Sequence, residues 1–255
     1  MPSCSKQKNP RGIEITFEED THRYSSIIDG KEIVYTSGTT FVHGFFPKFD
    51  PTGEITKRCA LREGLTVEAI RQKWKDKADR SARFGTKIHE TVEDVLRGNM
   101  LRNKPLDEKE EKTMAVAVKL GKKILERADI IGIEQIVFDS DIEIAGTMDL
   151  FIRAKKNGQL WILDHKTNEK IDTFNRWKQY ALKPIEHVPN TNYCQYSLQL
   201  NLYENILKRA GYVDKGEKIE KALLHITEQG NRTYPLGDMQ KEIVDMIGQF
   251  KMETL

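Results

Sequence analysis

Two acidic residues set in one apolar β-hairpin constrain this chain more than any other feature. Residues 146–166 read GTMDLFIRAKKNGQLWILDHK. Two apolar runs, 142–153 and 159–164, flank Lys155-Lys156-Asn157-Gly158, and an Asn-Gly pair between alternating strands signals a hairpin turn. Asp149 lies inside the first run; Asp164 ends the second and is followed by His165 and Lys166. A carboxylate inside an apolar strand loses solvation unless a cation sits with it, and strand pairing can bring the two acids together. The two-residue period puts Asp164 and Lys166 on one face and aims the His165 side chain at the other, as a residue that packs or supports the ligands from behind. The expectation is a hard divalent ion beside an ammonium group, which suits phosphodiester hydrolysis. Taken alone, D-x-K is also the pattern of an ordinary surface ion pair.

Two further motifs flank the hairpin. Upstream stands Gly85-Thr86-Lys87-Ile88-His89-Glu90-Thr91-Val92-Glu93, and downstream Gln199-Leu200-Asn201-Leu202-Tyr203. With Gly146-x-x-Asp149 and Asp164-x-Lys166, four motifs stand in one order, and together they resemble the RecB-like branch of the PD-(D/E)xK nuclease superfamily. The resemblance implies an α/β fold with a restriction-endonuclease-like αβββαβ core. It also implies one or two Mg²⁺ or Mn²⁺ ions held by His89, Asp149, Asp164 and the carbonyl of His165. Lys166 would align the attacking water, and Gln199 and Tyr203 would brace Lys166 and the scissile phosphate. Met148 stands where the superfamily's namesake proline would be, and His165 where an aromatic residue is common. Glu93 is open between supporting the ligands from behind and an ordinary helix salt bridge. Some RecB-like nucleases carry a four-cysteine iron–sulfur cluster with three ligands after the nuclease motifs. Here no cysteine follows Cys194, so no iron–sulfur cluster is expected.

The rest of the chain is read around these motifs. At 255 residues, 38% hydrophobic and 31% charged, it has the composition of one soluble domain (12–255), with the nuclease core over about 84–228. Residues 1–11 are polar and expected to be disordered. Strands are expected at 13–18, 22–28 and 31–35, the last two joined at Asp29-Gly30 and similar to the amino-terminal hairpin of phage-type RecB-like nucleases. A helix over 66–83 is expected to break at Gly85, with a second helix running to Gly98. Further helices are expected over 107–128, 192–210 and 238–250, and strands over 134–139 and 221–227. Three widely spaced cysteines make neither a disulfide framework nor a zinc pattern, and no run of 18 apolar residues suggests a membrane span. A cytoplasmic protein is expected, in the host cytoplasm if viral.

The net charge of +2 is too mild to argue for nucleic acid, but its distribution says more. Residues 57–83 hold nine basic against four acidic side chains, among them Arg80 and Arg83. This is a candidate phosphate-facing surface, although a solvated helix face is the commoner reason for such a run. Between Lys166 and the next helix, a long connection carries Phe174, Arg176, Trp177, Lys178, Tyr180 and Lys183. Aromatics interleaved with cations suit a single-strand channel; a cap packed on the core by those aromatics fits equally well. The reading is a metal-dependent deoxyribonuclease, an exonuclease acting on single-stranded DNA ends, with recombination or replication proteins as candidate partners. The alternatives are a structure-selective endonuclease on the same residues, or a catalytically silent DNA-binding or recombination partner.

Overall fold

The computed structural model describes residues 4–254, with side chains through Met252. Four antiparallel strands open the chain: β1 (Cys4–Lys8), β2 (Glu14–Glu18), β3 (Arg23–Ile28) and β4 (Lys31–Ser37). The expected disorder of 1–11 is therefore corrected for Cys4–Lys8, and residues 1–3 lie outside the described part. The ladder that β1 forms on the open edge of β2 needs only backbone donors and acceptors, so its polar side chains are no obstacle. The Gln7 side chain also accepts a hydrogen bond from Ile136 N at 3.0 Å, tying this strand to the central sheet.

Helices α1 (Gly38–Gly44), α2 (Glu54–Glu63), α3 (Val67–Arg97) and α4 (Glu108–Arg127) follow. Thr66 caps α3 by accepting from Ala69 N, and Gly98 ends it at φ +71°. The break expected at Gly85 does not occur: α3 is one helix of 31 residues. Glycine inside a helix costs only about 1 kcal/mol, and α3 recovers more than that by packing Ile88, Val92 and Leu96 against Met114, Ala117 and Leu120 of α4. A β-carbon at Gly85 would lie 3.3 Å from Thr167 Oγ1, so glycine there lets the helix pass close to the chain leaving the hairpin.

The central strands are β5 (Ala128–Asp139), β6 (Ile144–Ala154) and β7 (Leu160–Lys166). Helix α5 (Asn192–Arg209), β8 (Ile219–Thr227), an unforeseen edge strand β9 (Gly230–Pro235) and α6 (Gln240–Thr254) complete the fold. Helix, three strands, helix, strand is the αβββαβ order expected. The mixed sheet runs β1-β2-β3-β4-β6-β7-β8-β9, with β5 along the other edge of β6. One face is covered by α1, α5 and α6, through residues such as Leu198, Leu202 and Ile206, and the other by α3 and α4. No helix among the described residues is long and apolar enough to cross a membrane.

One feature of the sheet positions everything that follows. Strand β6 is shared: at Ile144 and Ala145 it pairs parallel with β4, and only from Leu150 to Arg153 does it pair with β7. Between these stretches, at Gly146–Asp149, that edge of β6 has neither neighbour, and the sheet forks.

Candidate active site

Asp149 lies in the fork. Its Oδ2 accepts the backbone N–H of His165 at 2.7 Å, so a carboxylate stands in for a ladder bond where β6 approaches the end of β7. Helix α3 brings His89 to the same oxygen, with Nδ1 3.3 Å away, while His89 Nε2 donates to the carbonyl of His165 at 2.9 Å. The His165 imidazole points away from Asp164 and Lys166 and sits among the other site groups: Nδ1 comes within 3.3 Å of Asp149 Oδ2, and its ring meets His89 edge-on at 5.5 Å. On the other face Lys166 Nζ lies 2.6 Å from Asp164 Oδ2 and 4.5 Å from the centre of the Tyr196 ring.

The donor set fits a divalent ion. His89, Asp149 and His165 each offer a ligand atom within 4.8 Å of the others. The sequence expectation joined Asp164 to His89 and Asp149, whereas here Asp164 turns to Lys166 and His165 completes the group. With the Nε2 proton of His89 committed to a carbonyl, its Nδ1 lone pair faces the Asp149 carboxylate. Two acceptors so placed call for positive charge between them, a metal ion or a proton on the ring. Asp164 Oδ2 is buried with the Lys166 ammonium as its neighbour, while the buried His165 Nε2 has no hydrogen-bond partner among the described residues. One carboxylate and two imidazoles are donors that a divalent ion accepts.

Electrostatics sets the acids apart. Burial opposes the Asp149 charge, but His89, the hydrogen bond from His165 and Lys166 outweigh it, holding the carboxyl well below the usual range. Asp164 goes the other way: burial raises it and Asp149 adds repulsion, against the relief that Lys166 gives. Burial would lower Lys166, yet Asp164 and Asp149 hold it above its ordinary value, so the site contains an ammonium rather than a free amine.

Gln199 and Tyr203 stand one turn apart on α5, with Gln199 Nε2 donating to Tyr203 Oη at 2.9 Å. The Tyr203 ring fills the space beside Gly146, where a β-carbon would come within 2.5 Å of it. The glycine of Gly146-x-x-Asp149 is thus the gap that admits this tyrosine into the fork. Lys166 is braced instead by Asp164 and Tyr196, the latter overlooked in the sequence although its position, three before Gln199 and seven before Tyr203, marks the same helix face. Glu134 was also missed. It is an acid in the apolar run of β5, carries a left-handed φ of 49°, and is pushed up to about 8 by burial and by repulsion from Asp149, Glu93 and Asp164. Like Asp149, it is a carboxylate in an apolar strand, where a charge loses solvation unless a cation sits with it.

A cavity of about 890 Å³ opens in front of these groups, lined by His89, Glu90 and Glu93 of α3, Glu134 of β5, Gly146 and Thr147 of β6, Gln199 and Tyr203. Glu93 faces it while paired with Arg97 at 2.9 Å and Arg102 at 3.0 Å, so the salt-bridge reading holds and the residue still borders the site. Arg80 and Arg83 are exposed on α3, but the positions of that stretch that line the cavity are Ala82, Gly85 and Thr86. The connection after Lys166 is anchored by Ile171, Ala181, Ile185 and Val188, while Phe174 and Trp177 stand 73% and 83% exposed and Tyr180 is exposed as well. The aromatics thus project outward rather than packing a cap. With Arg176 and Lys178 they lie outside the lining of the cavity, as do Asp149, Asp164, His165 and Lys166; of the candidate ligands His89 alone reaches it.

No curated protein matches the sequence. The family model of the PD-(D/E)XK nuclease superfamily matches residues 68–249, from the start of α3 into α6 and across every group described above. The chain belongs to the PD-(D/E)XK nuclease superfamily, a family of metal-dependent nucleases acting on DNA.

Proposed function

We propose that this nuclease is an exonuclease of the RecB-like type, a phage or viral enzyme that hydrolyses DNA from its ends in DNA processing, recombination or repair. The observation that carries the chemistry is the convergence of His89, His165 and the amide of His165 on Asp149 Oδ2, with the Asp164–Lys166 pair behind. His89, Asp149 and the His165 imidazole are the groups already gathered to hold the ion, and Asp164 and the His165 carbonyl, the ligands that the family resemblance implies, would join them on exchanging Lys166 and His89 for it. When bound, Mg²⁺ or Mn²⁺ supplies charge neutralisation at the phosphate and an acidified water. Lys166, kept cationic by its neighbours, donates hydrogen bonds that orient the water or the phosphate oxygens. Gln199 and Tyr203 fix the wall against which the strand rests. The exposed Arg80, Arg83, Arg176, Trp177, Lys178 and Tyr180 are reserved for the strand outside the cavity, and a cytoplasmic setting suits such a substrate.

Preference for ends rests on the recess: the side chains of Asp149, Asp164 and Lys166 are only 13%, 7% and 18% exposed. A terminus reaches such a site more readily than the flank of a duplex. The test compares linear with covalently closed circular single-stranded DNA at equal nucleotide concentration in Mn²⁺. Degradation of the linear form alone, with short products from the outset, is expected; equal cleavage of the circle makes the enzyme an endonuclease.

A further inference from the structure

The cavity has a second wall that the metal chemistry leaves unused. Phe17, His22 and Tyr24 of the N-terminal sheet line it. Phe17 and Tyr24 stack with ring centres 4.4 Å apart at 23°, and His22 stands edge-on to Phe17 at 5.2 Å. Tyr24 is buried, and its hydroxyl hydrogen-bonds Thr147 Oγ1 at 2.9 Å, two residues before Asp149. That bond fixes the aromatic cluster relative to the candidate metal ligand. Phe17 is half-buried and His22 exposed, so ring surface remains open to the cavity. These strands also precede the stretch that the family model matches, which begins at residue 68.

The other wall differs in kind. Glu90, Glu93 and Glu134 line it, with Arg97 and Arg102 already engaged by Glu93, whereas the aromatic side carries a single carboxylate, the exposed Glu19. Carboxylates repel a phosphate wherever no cation intervenes, whereas a base is uncharged and has a π-face that an aromatic side chain can cover. A nucleotide in this cavity satisfies both walls with its phosphodiester toward His89, the candidate ligand that lines it, and its base against the aromatic cluster. In a duplex the faces of an internal base are already covered by its neighbours; an unpaired terminal base offers one.

We propose that Phe17, His22 and Tyr24 form a base-stacking subsite for an unpaired nucleotide next to the scissile phosphate, an inference that rests on the nuclease reading above. The test uses the full chain carrying His22→Ala, Phe17→Leu or both, with two probes. One is a short single-stranded oligonucleotide, intact or with one abasic position stepped along it, its affinity measured by fluorescence anisotropy in Ca²⁺. The other is bis(p-nitrophenyl) phosphate, a phosphodiester without a base, hydrolysed in Mn²⁺.

Wild type should lose about tenfold or more in affinity when the base at one position is removed, and the doubly substituted chain should lose the same factor on the intact strand. Removing both base and rings should cost little more than removing either. Hydrolysis of the baseless ester should be unchanged, which separates stacking from damage to the fold; should Phe17→Leu unfold the chain, His22→Ala alone carries the cycle. Unaltered oligonucleotide affinity in the variants, or additive losses, overturns the subsite while ester hydrolysis leaves the nuclease reading standing. Failure of wild type to hydrolyse either the ester or DNA overturns the nuclease reading and the subsite with it.

Discussion

The ring of Tyr203 stands where a side chain at Gly146 would have to go, 2.5 Å from the position of its β-carbon. Gly146→Ala is therefore expected to cost about 1–3 kcal/mol through overpacking and to displace the wall beside Asp149. Gly158→Ala, in the hairpin turn at φ +71° with nothing within 4 Å, should cost ~1 kcal/mol from backbone strain and leave activity intact. Urea denaturation with parallel cleavage assays checks both. Equal activity in the two variants would mean the tyrosine wall is not needed.

Asp149→Ala and Asp164→Ala should each lower metal-dependent cleavage by at least about 10²-fold with circular dichroism unchanged, since neither carboxylate has a neighbour that can replace it. Lys166→Ala should slow turnover while sparing metal affinity in a calorimetric titration. Ca²⁺, larger and looser in geometry, should bind without supporting cleavage. Wild-type rates in either aspartate variant would remove Asp149 and Asp164 from the chemistry.

Glu134 gives the site a pH signature. In the folded chain it keeps its proton up to about pH 8, whereas an unfolded glutamate loses it near 4.5. Between those values the fold binds the extra proton, so this group destabilises folding progressively as pH rises, and its cost is complete above 8. Melting temperature should fall less from pH 5 to 8 in Glu134→Gln than in wild type. A cation beside Asp149 favours the ionised form, so metal binding at pH 7 should release about one proton more from wild type than from Glu134→Gln. Calorimetry in two buffers of different ionisation enthalpy reads the difference, and identical release from both chains would contradict it.

Away from the site, Lys221 of β8 is buried against Glu204 of α5, which also pairs with Lys208 at 2.7 Å. Lys221→Ala should cost about 3 kcal/mol, because it leaves a buried carboxylate short of a partner. The double variant with Glu204→Ala should be destabilised by less than the sum of the single changes. Additive denaturation midpoints would count against coupling between the two.

Much of this was legible in the residues. The hairpin carrying Asp149 and Asp164 announced itself by alternation and Asn-Gly, and His89 by its place four residues after Gly85. What escaped was whatever tertiary packing decides. Gly85 reads as a stop until α4 is present to offset its cost. Cys4–Lys8 reads as a disordered tail until β2 offers an edge. Phe174 and Trp177 have the same sequence signature whether buried or exposed. Sequence periodicity assigns His165 to a face but does not say that His89 and Asp149 will be waiting there.

The unbroken α3 also sets a fixed distance along the protein. Ala82 and His89, seven residues apart, both line the cavity, and another seven back along the same stripe stands the exposed Lys75. At 1.5 Å per residue, Lys75 and His89 are about 21 Å apart, roughly six steps of a stacked strand. A phosphate held at Lys75 and one held at the ion would be gauged against a single rigid rod, and with glycine tolerated at position 85 that gauge has no joint in it.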